Sequence, residues 1–403
     1  MKKDLTAIDK KSYKFRLYPN KEQTSSLYKF AAAKRFVWNH FLEKNRNYYD
    51  KEKKFLFNLT ENRAALTKLK GEALWLLDAP SGSLDAVIRV NLPRALKECG
   101  SKTKNRKGFP KFKKCHQHNS FWFQSSGLYV RAEKRKTQGV KEVEVWTAKI
   151  PKLTSPVKMI MHRPIEGRIT GATVSMTPTG KWYIAFSTDC VKKDHPAKKE
   201  PKLAMDWGVR KLMTCFDGKE FVEIIKNPRF LEVEHNRLRK LQRQLSRKGK
   251  GSTRYKKLKL RIAKKHEKVA AQRKDYANKL TTRLSKEYGD VGIEDIKMKQ
   301  IVRKSGRKLT RDMLDTGFYE IRRQLEYKLK REGGELTLVA PQYTSKTCSA
   351  CGEINRTLAA KEVFNCPSCD LVIDRDVNAA YNIYRKSFGT VGHTETDIKP
   401  SKV

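Results

Sequence analysis

Acidic residues are scarce in this chain: 43 Asp and Glu stand against 89 Lys and Arg, a formal net charge of +46 over 403 residues. A solvated surface does not require such an excess, and it points to a polyanionic partner. Long apolar runs are lacking as well. No stretch of about 18 apolar residues is available to span a bilayer, and Met1-Lys2-Lys3-Asp4-Leu5 lacks the apolar core of a signal peptide. The basic charge spreads along the whole chain, which favours nucleic acid over a membrane surface. Paired cysteines are few: Cys99, Cys115, Cys190 and Cys215 are scattered singly. That usage argues against a disulfide framework and for a reducing, cytoplasmic setting. The length allows two or more domains.

Residues 12–18 alternate as a strand would and stop at Pro19-Asn20, a turn signal. Leu27, Phe30, Ala31, Val37, Trp38 and Phe41 recur near helical spacing and predict a helix over 21–50. Further helices are predicted over 64–77 and 84–98, with Pro80, Ser81 and Gly82 as breakers between them, and 102–114 reads as a basic loop. Short alternating runs predict strands through most of 120–189. The basic, proline-containing link at 192–202 is the expected main domain boundary.

Beyond the link, 203–205, 212–216 and 221–225 read as strands that start a mixed sheet, the last two joined at Asp217-Gly218. Leu231, Leu238, Leu241 and Leu245 mark an amphipathic helix, broken near Gly249-Lys250-Gly251-Ser252 and followed by a long helix over 253–288. Residues 229–275 carry 18 Lys and Arg and only 4 Asp and Glu. Solvation is the ordinary explanation of a charged helix face, but so one-sided an imbalance favours nucleic-acid contact. The last residues, 389–403, are polar and expected to be disordered.

Cys348-x-x-Cys351 and Cys366-x-x-Cys369 form the strongest single signal. Each pair presents two thiolates from one tight turn, and two pairs complete a closed tetrahedral zinc site. The intervening 14 residues fall just short of the usual zinc-ribbon spacing. A closed four-thiolate site leaves no open position, so the zinc is read as structural. Three acids stand near it in sequence or follow apolar runs: Asp206 after Leu203-Ala204-Met205, Glu294 after Val291-Gly292-Ile293, and Asp376 in Asp374-Arg375-Asp376-Val377-Asn378-Ala379-Ala380. Each has an ordinary explanation, as a turn former, a loop start and a helix N-cap respectively. Brought together, they suit hard divalent ions clamped on a phosphodiester, which are held by a few carboxylates, water and phosphate.

The order of these motifs resembles TnpB, the OrfB family of transposon-encoded RNA-guided DNA endonucleases, related to compact type V CRISPR effectors. Family-like stretches include Lys14-Phe15-Arg16-Leu17-Tyr18-Pro19, Ala33-Lys34-Arg35-Phe36-Val37-Trp38-Asn39 and Gly108-Phe109-Pro110-Lys111-Phe112. Others are residues 238–247, Arg322-Arg323-Gln324-Leu325-Glu326-Tyr327-Lys328 and Tyr343-Thr344-Ser345-Lys346-Thr347-Cys348. The resemblance implies an α+β multidomain chain. A β-barrel wedge domain (1–19 and 101–195) would carry a helical recognition insert (20–100). An RNase H-like (RuvC) α/β nuclease domain (196–342 and 373–388) would carry a zinc-ribbon nucleic-acid-binding insert (343–372).

It further implies Asp206, Glu294 and Asp376 as catalytic, magnesium-binding carboxylates, with Asp376 favoured over Asp374 and supporting roles open for Asp374 and Asp295. The zinc ligands would be Cys348, Cys351, Cys366 and Cys369. The implied partners are a guide RNA from the transposon end and a target double-stranded DNA, the protein acting as a monomer on its RNA and reading only a short flanking motif. Lys111, Lys113, Lys114, Arg239, Arg243 and Arg247 are the candidate phosphate contacts. Trp38, Phe121, Trp122 and Phe123 are candidates for base stacking or for core packing. A nuclease-inactive RNA-guided repressor, a self-sufficient transposase and a zinc-ribbon RNA binder are the alternatives.

Overall fold

The computed structural model describes residues 8–100, 107–115, 119–125, 128–137, 140–191, 200–358 and 361–389. Most of the expected link at 192–202, the first part of the basic loop and the tail beyond Gly389 lie outside the described residues. The chain divides into two compact units, Met1–Lys192 and Lys193–Val403.

In the first unit, strand β1 (Ile8–Tyr18) leads into helix α1 (Lys21–Glu52). The helix starts there because Asn20 and Gln23 cap each other: Gln23 N donates to Asn20 Oδ1 at 2.7 Å and Asn20 N donates to Gln23 Oε1 at 3.0 Å. The predicted helix over 64–77 is instead α2 (Leu59–Glu72), which Asn58 caps, followed by a 3₁₀ turn at Leu74–Asp78. The predicted helix over 84–98 is interrupted. Helices α3 (Ser81–Ala86) and α4 (Leu92–Gly100) flank a π turn at Val87–Asn91, in which Leu92 N donates to Val87 O. Pro93 explains the widening, since it has no N–H for Arg89 O and its ring would clash with that carbonyl in a regular helix.

Strands β2 (Ser120–Gln124), β3 (Tyr129–Thr137), β4 (Val140–Lys149), β5 (Val157–Ile160), β6 (Arg168–Met176) and β7 (Trp182–Val191) complete a seven-stranded antiparallel sheet in the order β2-β6-β7-β1-β5-β4-β3. Its hydrogen bonding leaves β2 and β3 as edges, so the expected barrel is an open sheet among the described residues. Alternation decides which side chains are buried. Phe121 and Phe123 on β2 are fully covered and pack with Phe30 of α1, whose ring lies 5.6 Å from that of Phe121. Trp38 is buried too, and its indole donates to Lys111 O at 3.2 Å. These three are core residues rather than stacking platforms; Trp122 alone of the four candidates faces the other way and is half-buried.

In the second unit, β8 (Leu203–Trp207), β9 (Lys211–Phe216) and β10 (Phe221–Lys226) run antiparallel. The β9–β10 connection spans four residues, wider than a two-residue turn. Asp217 Oδ1 accepts from Lys219 N and Glu220 N at 2.9 Å each, and Gly218 supplies φ +94°. Helices α5 (Phe230–Ser246) and α6 (Thr253–Glu287) follow, then β11 (Val291–Glu294), which pairs parallel with β8. Helices α7 (Met298–Lys304), α8 (Arg307–Asp315) and α9 (Phe318–Arg331) lead to β12 (Leu336–Val339), parallel to β11. The resulting sheet has the order β10-β9-β8-β11-β12. A small hairpin of β13 (Val363–Asn365) and β14 (Val372–Asp374) precedes the final helix, α10 (Arg375–Phe388).

Both faces of this sheet are covered, which is why β8 and β11 read as near-continuous apolar runs. Leu203, Met205, Val291 and Ile293 pack with Ala277, Leu280 and Leu284 of α6 and Ile321, Leu325 and Leu329 of α9. Ala204 on the opposite face packs with Ile383 of α10. Gly292 is the contact that seats α10. A Cβ there would stand 2.1 Å from Ser387 Oγ and 2.7 Å from Ser387 Cβ, so only glycine allows the helix this close.

Candidate metal centres

The carboxylate centre follows from strand alternation. Asp206 lies two residues beyond Ala204, and Glu294 two beyond Gly292, so both project to the face that α10 covers. The β8–β11 register pairs Met205 with Ile293, and continuing it by one residue brings Asp206 beside Glu294. Asp376 stands in the first turn of α10, which packs on β8, β9 and β11. The ordinary explanation of Asp376 as an N-cap does not hold: Asp374 is the cap, and its Oδ1 accepts from Asp376 N at 2.9 Å and Val377 N at 3.2 Å. The Asp376 carboxylate is therefore not spent on capping the helix.

Two of the acids act on the third, Asp206. Asp206 keeps some accessible surface, but most of its carboxyl is withdrawn from water. Burial first, then the charges of Glu294 and Asp376, push it well above the usual carboxylate range. Glu294 is 8 % exposed, and burial raises it also, opposed by a hydrogen bond from Thr344 and by the charge of Lys386. Lys211 Nζ lies 2.6 Å from Asp374 Oδ2 and 3.6 Å from Asp376 Oδ2, while Arg375 reaches Asp376 Oδ1 at 3.1 Å. Asp295 is engaged elsewhere, by Arg322 of α9 at 2.8 Å. Hard oxygen donors whose neighbouring like charges make Asp206 costly to ionise fit a divalent cation.

The cysteine quartet is assembled. Its four Sγ atoms all lie within 4.8 Å of one another, with Cys348 to Cys369 at 3.6 Å and Cys351 to Cys366 at 3.5 Å. Tetrahedral zinc with bonds of about 2.3 Å requires sulfurs about 3.8 Å apart, so the residues fit that ion. Each Cys-x-x-Cys turn is followed by a left-handed residue, Gly352 at φ +83° and Asp370 at φ +53°. Leu358 and Phe364 pack with Cys348 and Cys366 as a private core. Burial holds the Cys348 thiol up at about 12.

The basic candidates lie elsewhere. Arg239, Arg243 and Arg247 are exposed, the first two four residues apart along α5 and Arg247 just past its end. Lys111 and Lys114 are exposed in the non-regular segment 107–115, whereas Lys113 is half-buried with Nζ 3.6 Å over the Trp38 ring. Burial, and then the neighbouring Lys34, bring Lys113 down to about 8.

Against known proteins, the chain is 33% identical over 390 residues to "Putative RNA-guided DNA endonuclease InsQ" of Escherichia coli (strain K12), covering 92% of this chain and 91% of that one. The chain belongs to the TnpB family. A second relative, "Putative RNA-guided DNA endonuclease" of Streptomyces pristinaespiralis, is 30% identical over 93% of this chain and 88% of its own. Family models described as "Probable transposase" and "Cas12f1-like, TNB domain" match residues 185–305 and 318–383. A "Helix-turn-helix domain" model matches 10–54, yet that segment of this TnpB-family chain is one strand and one long helix. The fold is similar to the "Cas12f1-sgRNA-target DNA complex" protein, with a TM-score of 0.57, 16% identity, and coverage of 93% of this chain and 98% of that one. No helix among the described residues is long and apolar enough to cross a membrane.

Several residues at the TnpB-family site escaped the sequence reading. Lys211 gave no signal, because its partners Asp374 and Asp376 are 163 and more positions away. Asn378, Asn382, Arg385 and Lys386 did carry one: they recur at helical spacing on α10 and bind the segment 342–349.

Proposed function

We propose that the chain is an RNA-guided DNA endonuclease that hydrolyses target phosphodiesters with divalent metal, encoded by a transposable element. The observation that carries this reading is the convergence of Asp206, Glu294 and Asp376 on the α10 side of the β8–β11 pair, with Asp206 pushed up by burial and then by the charges of the other two. These three carboxylates are the magnesium ligands. A divalent ion bound there supplies charge stabilisation to the attacking and leaving oxygens of the phosphodiester. The second unit is the RuvC-like nuclease domain, with the cysteine quartet as a structural zinc ribbon over residues 343–372. The first unit is the wedge domain with its helical recognition insert.

Guide RNA from the transposon end and double-stranded target DNA are the partners, and the protein works as a monomer on its RNA. The +46 charge supports this reading, because such a complex is held mainly by phosphates. Lys111, Lys113, Lys114, Arg239, Arg243 and Arg247 make such contacts, and base pairing reads the target.

The test begins with the chain expressed beside its native flanking DNA, purified, and its bound RNA sequenced. One defined RNA with a variable end names the DNA to use. Asp206→Ala should abolish Mg²⁺-dependent cutting of that DNA while RNA-dependent binding stays intact. Cutting by Asp206→Ala at the wild-type rate would exclude Asp206 from the centre, and heterogeneous RNA would favour a self-sufficient transposase or a general binder.

A further inference from the structure

Glu294 does not stand alone on its strand. The Thr344 hydroxyl lies in hydrogen-bond contact with Glu294 Oε1 and 3.1 Å from Pro341 O. It has one proton to give, and a carboxylate is the stronger acceptor. Thr344 is 2 % exposed, so no solvent replaces that bond.

The position of Thr344 is in turn fixed from α10. Asn382 Nδ2 donates to Thr344 O at 2.9 Å and to Thr347 O at 2.7 Å. One turn earlier, Asn378 Nδ2 donates to Thr347 O at 2.8 Å, and its Oδ1 accepts from Ser349 N at 2.9 Å, inside the first Cys-x-x-Cys turn. Both asparagines are buried. Their amides satisfy backbone groups that neither a strand nor a helix serves, which ties the segment 344–349 to α10. A continuous chain of hydrogen bonds thus runs from Glu294 through Thr344 and Asn382 to the residue before Cys348.

We propose that Thr344 is a positioning residue that fixes the Glu294 carboxylate for metal, and that Asn382 ties it to the folded state of the cysteine clip. The inference rests on the reading of Asp206, Glu294 and Asp376 as a divalent-metal site. It assigns the clip a duty besides nucleic-acid contact: while the clip is folded, Glu294 is held in place.

The experiment compares wild type, Thr344→Val, Thr344→Ser and Asp206→Asn. Val removes the hydroxyl at nearly constant volume, and Ser keeps it. Two readouts are taken: the Mg²⁺ concentration for half-maximal cutting, and Tb³⁺ luminescence of the RNA-free protein, sensitised across β8 by Trp207, the residue after Asp206 on the opposite face of the strand. The site signal is the part that Asp206→Asn removes. Thr344→Val should weaken Tb³⁺ binding and raise the Mg²⁺ requirement, each on the order of ten-fold, with bound zinc unchanged and Thr344→Ser close to wild type. Wild-type Tb³⁺ affinity and Mg²⁺ dependence in Thr344→Val would overturn the positioning role. Zinc loss in that variant would overturn it also, by placing Thr344 in the stability of the clip alone. If Asp206→Asn itself cuts DNA and retains Tb³⁺, the metal-site reading fails and the tether with it.

Discussion

A single methyl group at Gly292 tests how α10 is seated. In Gly292→Ala the new Cβ would stand 2.1 Å from Ser387 Oγ and 2.7 Å from Ser387 Cβ. Rotating the hydroxyl relieves the first contact but not the second, because the Ser387 Cβ is fixed to the helix. The helix must therefore lift from β11 by several tenths of an ångström or more. Overpacking of this kind costs about 1–3 kcal/mol, which lowers the melting temperature by about 2–4 °C per kcal/mol in a domain of this size. The functional loss should exceed the stability loss. Glu294 is two residues along β11 and Asp376 rides on α10, so lifting one from the other separates the candidate ligands. A misplacement of about 1 Å is enough to reduce turnover on the order of 100-fold.

The assay pairs thermal melting with guided cutting, and adds Ser387→Gly to the alanine variant. Removing the serine Cβ clears the contact at a helix-propensity cost of roughly 0.5 kcal/mol. It sacrifices no hydrogen bond among the described residues, where the buried Ser387 hydroxyl has no partner. The double variant should recover most of the melting temperature and the cutting rate. Wild-type melting and cutting in Gly292→Ala, or no rescue in the double variant, would refute the reasoning.

Two further outcomes can be measured directly. Cys366→Ser should lower bound zinc from about one per chain to near zero by elemental analysis, and unfold the clip whose core is Leu358 and Phe364; unchanged zinc content would exclude the quartet as a site. At Lys113, burial and Lys34 depress the ammonium to about 8, so it is about nine-tenths charged at pH 7 and about one-tenth at pH 9. If it holds a phosphate, RNA affinity should fall several-fold over that window. A bound phosphate moves the fall to higher pH, and Lys113→Arg should flatten it; equal pH profiles for wild type and Lys113→Arg would remove Lys113 from the interface.

The sequence by itself determined what depends on short-range pattern. Helix α1 was legible from the spacing of Leu27 to Phe41 and its Asn20 start, and the mixed sheet began where the runs at 203–205 and 212–216 placed it. The cysteine quartet was legible because two tight turns encode its geometry locally. Where short-range reading went astray, a specific residue was responsible. Pro93 turned one predicted helix into two around a π turn; the β-barrel implied by the family resemblance is, among the described residues, a sheet open at β2 and β3.

Only the tertiary structure decided what the long-range partners do. Which of Asp374 and Asp376 is spent on capping depends on backbone geometry at the start of α10, and the opposing Lys211 lies on a strand far away in sequence. The faces of Asp206 and Glu294 were fixed by which side of β8 and β11 received α10, and Gly292 permits that choice. Trp38, Phe121 and Phe123 were candidates for both base stacking and core packing until burial assigned them to the core. Side-chain chemistry is written in sequence, but the burial, charge and hydrogen-bond partners that direct it come from segments that meet only when the chain folds.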